Sequence, residues 1–565
     1  MLVIGVVGLG SLGEGLAKVL LENGAEVIGV DSDLGVLARV HDRLGGPRLG
    51  LATELVDLKR ADLVIEALPE DFGVKETVLR QLADQCAPGT VFLTATSTLS
   101  VAKLAIASGA PDRVVGLRYS IPPPYGRHAS LIGTSMASPE AFHLARKAVR
   151  LAGTELVSLG CRPVEAATAL LYACMNRTMN LADEGYATVE DLDAALKLGC
   201  GLKFGPLHLL DLIGLDTVRN ALDHLHDSTG SDSYVPSPLL VRKVEDGHLG
   251  RKTGRGFHRY DDRGEIQPPP RDRVSDGEPR EIRRAGVVGA GLMGRGIAEV
   301  LIVAGIPTTL VARTPDKAEA ARQRIWSSLT RLVQKGRMSE QDRQDVLARL
   351  TTGTGYEALA EADIVIEAVA ENMAVKSAVL QGIDAAVKPG AIIATTTSSL
   401  SVTDCANATS RPRDVIGLHF FNPAPVMKLV EIVRTGHTAD DVHATAHALV
   451  KWLRKTGVDC ADRVGFIVNH VLFPYLNDAI RMLGRTDVTV DEIDTAIVTA
   501  FHHPMGPFTL LDTIGLDISL AILETLSAAS PTGEPAPAEE LRRLVASGHL
   551  GQKTGRGFRL GNKGK

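Results

Sequence analysis

Residues 2–20 read LVIGVVGLGSLGEGLAKVL, and residues 284–301 read RAGVVGAGLMGRGIAEVL. Each stretch is a short apolar run, a G-x-G-x-x-G triplet and a second apolar run with helical spacing. That order predicts a strand, a tight turn and a helix whose N-terminus faces a phosphate. The glycines are Gly8, Gly10 and Gly13 in the first stretch and Gly289, Gly291 and Gly294 in the second. The first of each set permits the turn, the second lets a pyrophosphate approach the backbone, and the third lets helix and strand pack closely. One such triplet is weak evidence. Its recurrence in the same context makes dinucleotide binding the expected role of the second. For the first, the alternative is a scaffold kept for its shape.

Outward from these stretches the chain repeats itself. Gly8 pairs with Gly289 at an offset of 281, whereas Asp62 and Asp363, Ser97 and Ser398, Asp211 and Asp512, and Lys252 and Lys553 pair at 301. The two offsets differ by 20 residues, which marks one insertion in the second copy. In each copy, apolar runs alternate with helical patterns: IGVVG, EVIGV, DLVIEA, TVFLTA and VVGL, then AGVVG, TTLVA, DIVIEA, AIIATT and VIGL. Such runs predict a doubly wound parallel sheet covered on both faces. A segment with helical patterning follows each. The expected fold is therefore an α/β Rossmann domain plus an all-α helical domain, the pair repeated twice. Its bounds are 1–158 and 159–258, a Pro-, Asp- and Arg-rich linker at 259–283, then 284–460 and 461–565. The insert covers about 317–350 and reads as a helical hairpin projecting from the sheet edge, with a helix start near Ser339.

At 565 residues the chain is too long for one core. A net charge of −6 gives no reason to expect nucleic acid or an acidic membrane surface as partner. No apolar run reaches the roughly 18 residues of a membrane span. The chain opens on a strand without a basic region or a small-residue cleavage site, so no signal peptide is expected. Its six cysteines are scattered, with no C-x-x-C pair. That pattern fits a reducing cytoplasm and offers no metal site.

The residue ending the second strand reads the adenosine ribose. In the first copy it is Asp31, whose carboxylate would accept from a 2′-hydroxyl and repel a 2′-phosphate, favouring NAD(H). In the second copy the segment is TLVARTP: Ala312 replaces the acid and Arg313 and Thr314 follow. A cation and a hydroxyl suit a 2′-phosphate, so NADP(H) is expected there. The alternative is that Arg313 stacks on adenine and NAD(H) is accepted.

In the second copy His419 follows an apolar strand and Glu431 lies twelve residues on. Ligands of open α/β sheets bind beyond the carboxyl ends of the strands, where His419 would sit. Hydride transfer from a secondary alcohol needs a group that takes the hydroxyl proton. Histidine does so near neutral pH, and a carboxylate on its other nitrogen fixes the tautomer.

These residues sit in GLHFFNPAPVMKLVEIV (417–433), which with TTTSSLSV (395–402), RVGFIVNHVLFPYLNDA (463–479), HPMGPFTLLDTIGLD (503–517) and HLGQKTGRGF (549–558) resembles the 3-hydroxyacyl-CoA dehydrogenase family. The resemblance spans nearly all of the second copy, in order. It implies His419 as general base and acid, Glu431 as its orienting partner, and Ser398 and Asn469 as groups around the substrate oxygen. It further implies that Asn422 lies in the site and that Glu371 and Lys376 lie near the cofactor ribose. The family's coenzyme A-contacting hairpin corresponds to the insert, where Arg331 and Lys335 could meet phosphates or form a solvated face. Two departures stand out: the missing acid at Ala312, and Thr395, Thr396 and Thr397 in place of the family's Ser-Asn-Thr.

The first copy has Arg118, Ser130, Thr168 and Ile121 where the second has His419, Glu431, Asn469 and Asn422. It keeps Ser97, Glu70, Lys75 and Asp31 and lacks the insert. Arginine is no base in a protein, so this copy is expected to transfer no hydride of this kind, and His128 reads as a loop residue. Family members dimerise through their helical halves, so an intramolecular pseudo-dimer is expected, with possible further dimerisation. The leading expectation is interconversion of an (S)-3-hydroxyacyl-CoA and its 3-ketoacyl-CoA. The alternatives are a dehydrogenase of a small free hydroxy acid, and a first copy acting as a regulatory nucleotide-binding module.

Overall fold

Each copy lays down eight strands. In the first they are Val3–Val7 (β1), Glu26–Val30 (β2), Leu49–Ala52 (β3), Leu63–Glu66 (β4), Val91–Ala95 (β5), Val114–Tyr119 (β6), His128–Ile132 (β7) and Glu155–Leu156 (β8). In the second they are Ala285–Val288 (β9), Thr308–Val311 (β10), Leu350–Gly353 (β11), Ile364–Glu367 (β12), Ile392–Thr395 (β13), Val415–Phe420 (β14), Leu429–Arg434 (β15) and Thr456–Ala461 (β16). This computed structural model describes residues 2–97, 99–157, 161–268, 277–484, 486–529 and 536–559. The expected junction at 158/159, the middle of the linker and the last residues of the second helical domain lie outside the described residues.

The strand orders are β3-β2-β1-β4-β5-β6-β7-β8 and β11-β10-β9-β12-β13-β14-β15-β16. The first six strands of each sheet are parallel in the doubly wound order 3-2-1-4-5-6. β7 and β15 then run antiparallel to β6 and β14. β4, β9 and β12 are buried at every residue, which is why they are written as unbroken apolar runs.

The insert is a hairpin of helices Pro315–Gln334 and Glu340–Ala348, the second opened by a capping box between Ser339 and Asp342. The first helix carries an apolar stripe, Ala318, Ala321, Ile325 and Leu329, that is buried on the sheet layer. The described flanks of the linker are likewise anchored. Tyr260 is buried with its hydroxyl donating to Asp211 at 2.9 Å. The Arg280 guanidinium bridges Asp414 and Asp441, 2.8 Å each. Single polar anchors of this kind leave no periodicity in the sequence.

The helical segments do not form two separate cores. Helix Cys161–Asp183 packs against Val468–Leu483, and one apolar cluster holds Leu170, Ala173 and Leu196 of the first copy with Val468, Val471 and Leu476 of the second. Helix Val189–Cys200 lies on β15 and β16, and its counterpart Val490–Phe501 lies on β7. Arg177 pairs at 3.4 Å with Asp478, the residue at its own matched position. Contact between matched positions places a pseudo-twofold axis there. His128, read above as a loop residue, begins β7 and packs on His502 of the other copy, ring centroids 4.8 Å apart.

Candidate active site

The antiparallel register of β14 and β15 sets His419 directly opposite Glu431. Opposed residues share a face of the sheet, so the twelve-residue spacing becomes a contact. A carboxylate only accepts, so His419 Nδ1–H donates to Glu431 Oε2, at 2.6 Å. Glu431 is fully buried, and its Oε1 accepts from the amides of Ile467 and Val468 at 3.0 and 2.9 Å. Those amides begin helix Val468–Leu483, whose positive end favours an ionised carboxylate. The imidazole is enclosed by Phe421 and Phe466, with ring centroids 4.6 and 5.5 Å away. Phe466 takes φ 50° after Gly465 at φ 80°, left-handed backbone held next to the site.

Ser398 and Asn469 approach the same corner from different elements. Ser398 follows β13, and Asn469 opens helix Val468–Leu483. The Asn469 amide donates to the Ser398 carbonyl at 3.5 Å, a long bond. Glu371 Oε1 collects the Ser398 and Ser399 amides at 2.7 and 2.9 Å and the Thr397 hydroxyl at 2.7 Å. Burial opposes ionisation of Glu371, but Lys376 and these donors hold its pKa below the usual value. Lys376 is buried, with its ammonium 3.0 Å from both oxygens of buried Glu367 and 3.4 Å from Glu371. Thr395 also donates to Glu367, at 2.7 Å. Two of the three threonines that depart from the family pattern therefore tie down carboxylates. Sequence reasoning missed Glu367, although an acid inside the apolar run DIVIEA signals a buried partner. Asn422 is exposed just past β14, in a loop that packs on the second glycine-rich helix, where a Cβ on Gly296 would lie 3.1 Å from Ala424.

The first and third glycines of each triplet sit in the tight turn and the close helix–strand contact expected of them. Gly8 and Gly289 have φ of 86° and 120°. A Cβ on Gly13 or Gly294 would lie 1.8 Å from the carbonyl oxygen of Gly8 or Gly289, respectively. Nothing lies within 4 Å of a Cβ built on Gly10 or Gly291. Both residues start helices, Ser11–Glu22 and Leu292–Val303, that have no side-chain cap. Open backbone at an uncapped helix N-terminus fits a pyrophosphate. Asp31 accepts the Leu9 and Asp33 amides at 2.8 and 3.0 Å, which leaves lone pairs for a ribose. Arg313 is exposed, and Thr314 caps helix Pro315–Gln334.

In the first copy Arg118 faces Ser130 in the same register. Its guanidinium pairs with Glu165 at 2.9 Å and donates to the Thr96 carbonyl at 3.3 Å. Thr168 donates to Val164 of its own helix. A cavity of only about 20 Å³ remains, lined by Ser97, Arg118, Thr168 and Phe501 of the second copy among others. That holds about one water.

A doubly wound dinucleotide-binding sheet joined to a helical layer, with a buried His–carboxylate pair at the junction, defines the class of Rossmann dehydrogenases. The family model of the 3-hydroxyacyl-CoA dehydrogenase NAD-binding domain matches residues 46–160 and 284–463, and that of the C-terminal domain matches 166–260 and 465–560. The chain belongs to the 3-hydroxyacyl-CoA dehydrogenase family, with both domains present twice. It is 43% identical over 279 residues to a 3-hydroxybutyryl-CoA dehydrogenase of Mycobacterium tuberculosis, covering 49% of this chain and 98% of that protein. It is 38% identical over 286 residues to the human mitochondrial hydroxyacyl-coenzyme A dehydrogenase, covering 49% and 90%. A crystal structure of a 3-hydroxybutyryl-CoA dehydrogenase from Escherichia coli K12 matches in fold over 97% of this chain and 99% of its own, at 22% identity and TM-score 0.54. Among the described residues no helix is long and apolar enough to cross a membrane.

Proposed function

We propose that this protein interconverts an (S)-3-hydroxyacyl-CoA and its 3-ketoacyl-CoA with NADP(H), at one site, in the second copy. The observation that carries the proposal is the 2.6 Å His419–Glu431 bond with the far carboxylate oxygen seated on a helix N-terminus. When bound, the nicotinamide supplies or accepts the hydride. His419 Nε2 takes the substrate hydroxyl proton in oxidation and returns it in reduction. Glu431 holds Nδ1–H and stabilises the imidazolium, as the aspartate of a serine-protease triad does. Ser398 and Asn469 position the substrate oxygen. Exposed Arg313, beside the N-terminus of helix Pro315–Gln334, supports a 2′-phosphate there and with it the reducing direction. Exposed Arg331 and Lys335 on the insert support an acyl-CoA as substrate over a free hydroxy acid.

The first copy keeps its open glycine turn and Asp31 beside a filled substrate cavity. We infer that it binds NAD(H) without turnover and packs where a second subunit would. The test follows reduced-cofactor absorbance with acetoacetyl-CoA and NADPH or NADH. NADPH oxidation is expected, falling on the order of a thousandfold in His419→Ala. Arg313→Ala should raise KM for NADPH and leave that for NADH unchanged. A strong NADH preference of the unmodified protein overturns the cofactor assignment, and turnover in His419→Ala overturns the site.

A further inference from the structure

Away from His419, a cleft of about 1220 Å³ runs between the two copies. Tyr186, Thr188 and Asp191 of the first helical segment line one side, and His443, His447 and Asp459 of the second copy line the other. The two histidines lie one turn apart on helix Asp440–Trp452, so both imidazoles project from one face. Asp459 lies on the neighbouring strand β16. Both Nε2 atoms stand 2.8 Å from the same oxygen, Asp459 Oδ1. The three ligand atoms lie within 4.8 Å of one another, and none of the side chains is fully buried. Nothing in the proposed dehydrogenase chemistry uses them.

We propose that His443, His447 and Asp459 form a binding site for a divalent transition-metal ion of the zinc class. Two imidazoles and one carboxylate are a donor set that zinc takes, and three protein ligands leave a position for water or a ligand. Here that position opens on the cleft the two copies share. A tetrahedral ion with bonds of about 2.0–2.2 Å keeps its ligands roughly 3.3–3.5 Å apart. The observed 2.8 Å contacts therefore need only open by about half an ångström, with each imidazole proton moving from Nε2 to Nδ1. The spacing H-x₃-H, followed by an acid on the next strand, was visible in the sequence. An inventory restricted to cysteines passes over it.

The ion would clamp helix Asp440–Trp452 to β16, at the strand on which the first copy's helix Val189–Cys200 packs. The test uses the full chain, stripped with EDTA and then titrated with ZnCl₂ by calorimetry and by equilibrium dialysis with elemental analysis. One Zn²⁺ per chain is expected, with a rise in melting temperature. Co²⁺ should give visible ligand-field absorption of a tetrahedral or five-coordinate site. His443→Ala, His447→Gln and Asp459→Asn should each weaken Zn²⁺ binding at least tenfold and abolish the Co²⁺ band. Circular dichroism identifies any variant that fails to fold, and the two nearly isosteric variants keep the test open if His443→Ala does. An unmodified chain that takes up no Zn²⁺ overturns the proposal. So does unchanged stoichiometry and affinity in His447→Gln and Asp459→Asn, which would assign the bound metal to the other histidines.

Discussion

His419 and Arg118 occupy the same backbone position in the two copies, each one residue before the end of its strand and each facing across an antiparallel pair. At this position the two copies therefore differ in side chain and not in register. A guanidinium offers only donors and no acceptor, and here it is already spent on Glu165 and Thr96. Glu371 shows how the second copy holds the geometry around Ser398. One oxygen gathers Thr397, Ser398 and Ser399, so the segment carrying Ser398 is fixed by a single charge. The carboxyl's pKa is depressed in the fold: burial acts against ionisation, and Lys376 with the Thr397, Ser398 and Ser399 donors outweighs it. A depressed acid contributes stability above its unfolded pKa, near 4.3, and loses it as pH falls through the folded value. Glu371→Gln should therefore lower unfolding free energy at pH 7 by about 1–3 kcal/mol. The difference from the parent should shrink below about pH 4. Urea unfolding at pH 7 and pH 3 checks this, and a pH-independent difference would mean that the group acts through shape.

At the scale of elements, helix Val490–Phe501 of the second copy reaches into the first. Phe501, its last residue, lines the small cavity beside Arg118 and Thr168. The ring thus helps to close the space beside Arg118. Phe501→Ala should destabilise the chain by about 3–5 kcal/mol, the range for a buried aromatic. It should leave kcat/KM at the His419 site within about twofold of the parent, because Phe501 lines the first copy's cavity beside Ser97, Arg118 and Thr168. Denaturant unfolding with parallel kinetics would show it, and an equal loss of activity would contradict the separation of the two sites. The strands, the glycine turns and the capping box at Ser339 were legible because each depends on neighbours in sequence: continuous apolar runs, a triplet spacing, a serine three residues before an acid. The His419–Glu431 pair was legible as a spacing, and the antiparallel register makes it a bond. Other features depend on partners far along the chain. Helical periodicity shows that Pro315–Gln334 has an apolar stripe, yet not that the stripe lies flat on the sheet layer. Arg280 reads as one more charge in a charged linker until Asp414 and Asp441 are brought to it.

For the whole molecule, the question is why the duplication stayed in one chain. The helical segments share one core, and across the seam Tyr186 donates to the Ala461 carbonyl at 3.0 Å and Arg463 pairs with Glu184 at 2.8 Å. Two second copies cannot reproduce this seam. Arg177 now meets Asp478, whereas two second copies would set Asp478 against its twin. Gly199 lies so close to the second copy that a Cβ there would stand 2.8 Å from Val468 and 3.1 Å from Leu429. The residue matched to Gly199 is Ala500, whose methyl group would occupy that space. Charge and volume thus both favour the unlike pairing over the like one. Residues 284–565 expressed alone should therefore expose the apolar face of helix Val468–Leu483 and form no stable homodimer, with activity reduced on the order of tenfold or more. Co-expressed with residues 1–283 as a separate chain, they should assemble one-to-one and recover most of the turnover, since mass action on a shared core stabilises both partners. Size-exclusion chromatography with light scattering, followed by the acetoacetyl-CoA assay, distinguishes the outcomes. If 284–565 were monomeric, stable and fully active alone, the first copy would not be standing in for a subunit. If the seam is as tight as Gly199 indicates, that one methyl group should lower the melting temperature of the intact protein, through the 1–3 kcal/mol that overpacking a filled interface costs, about.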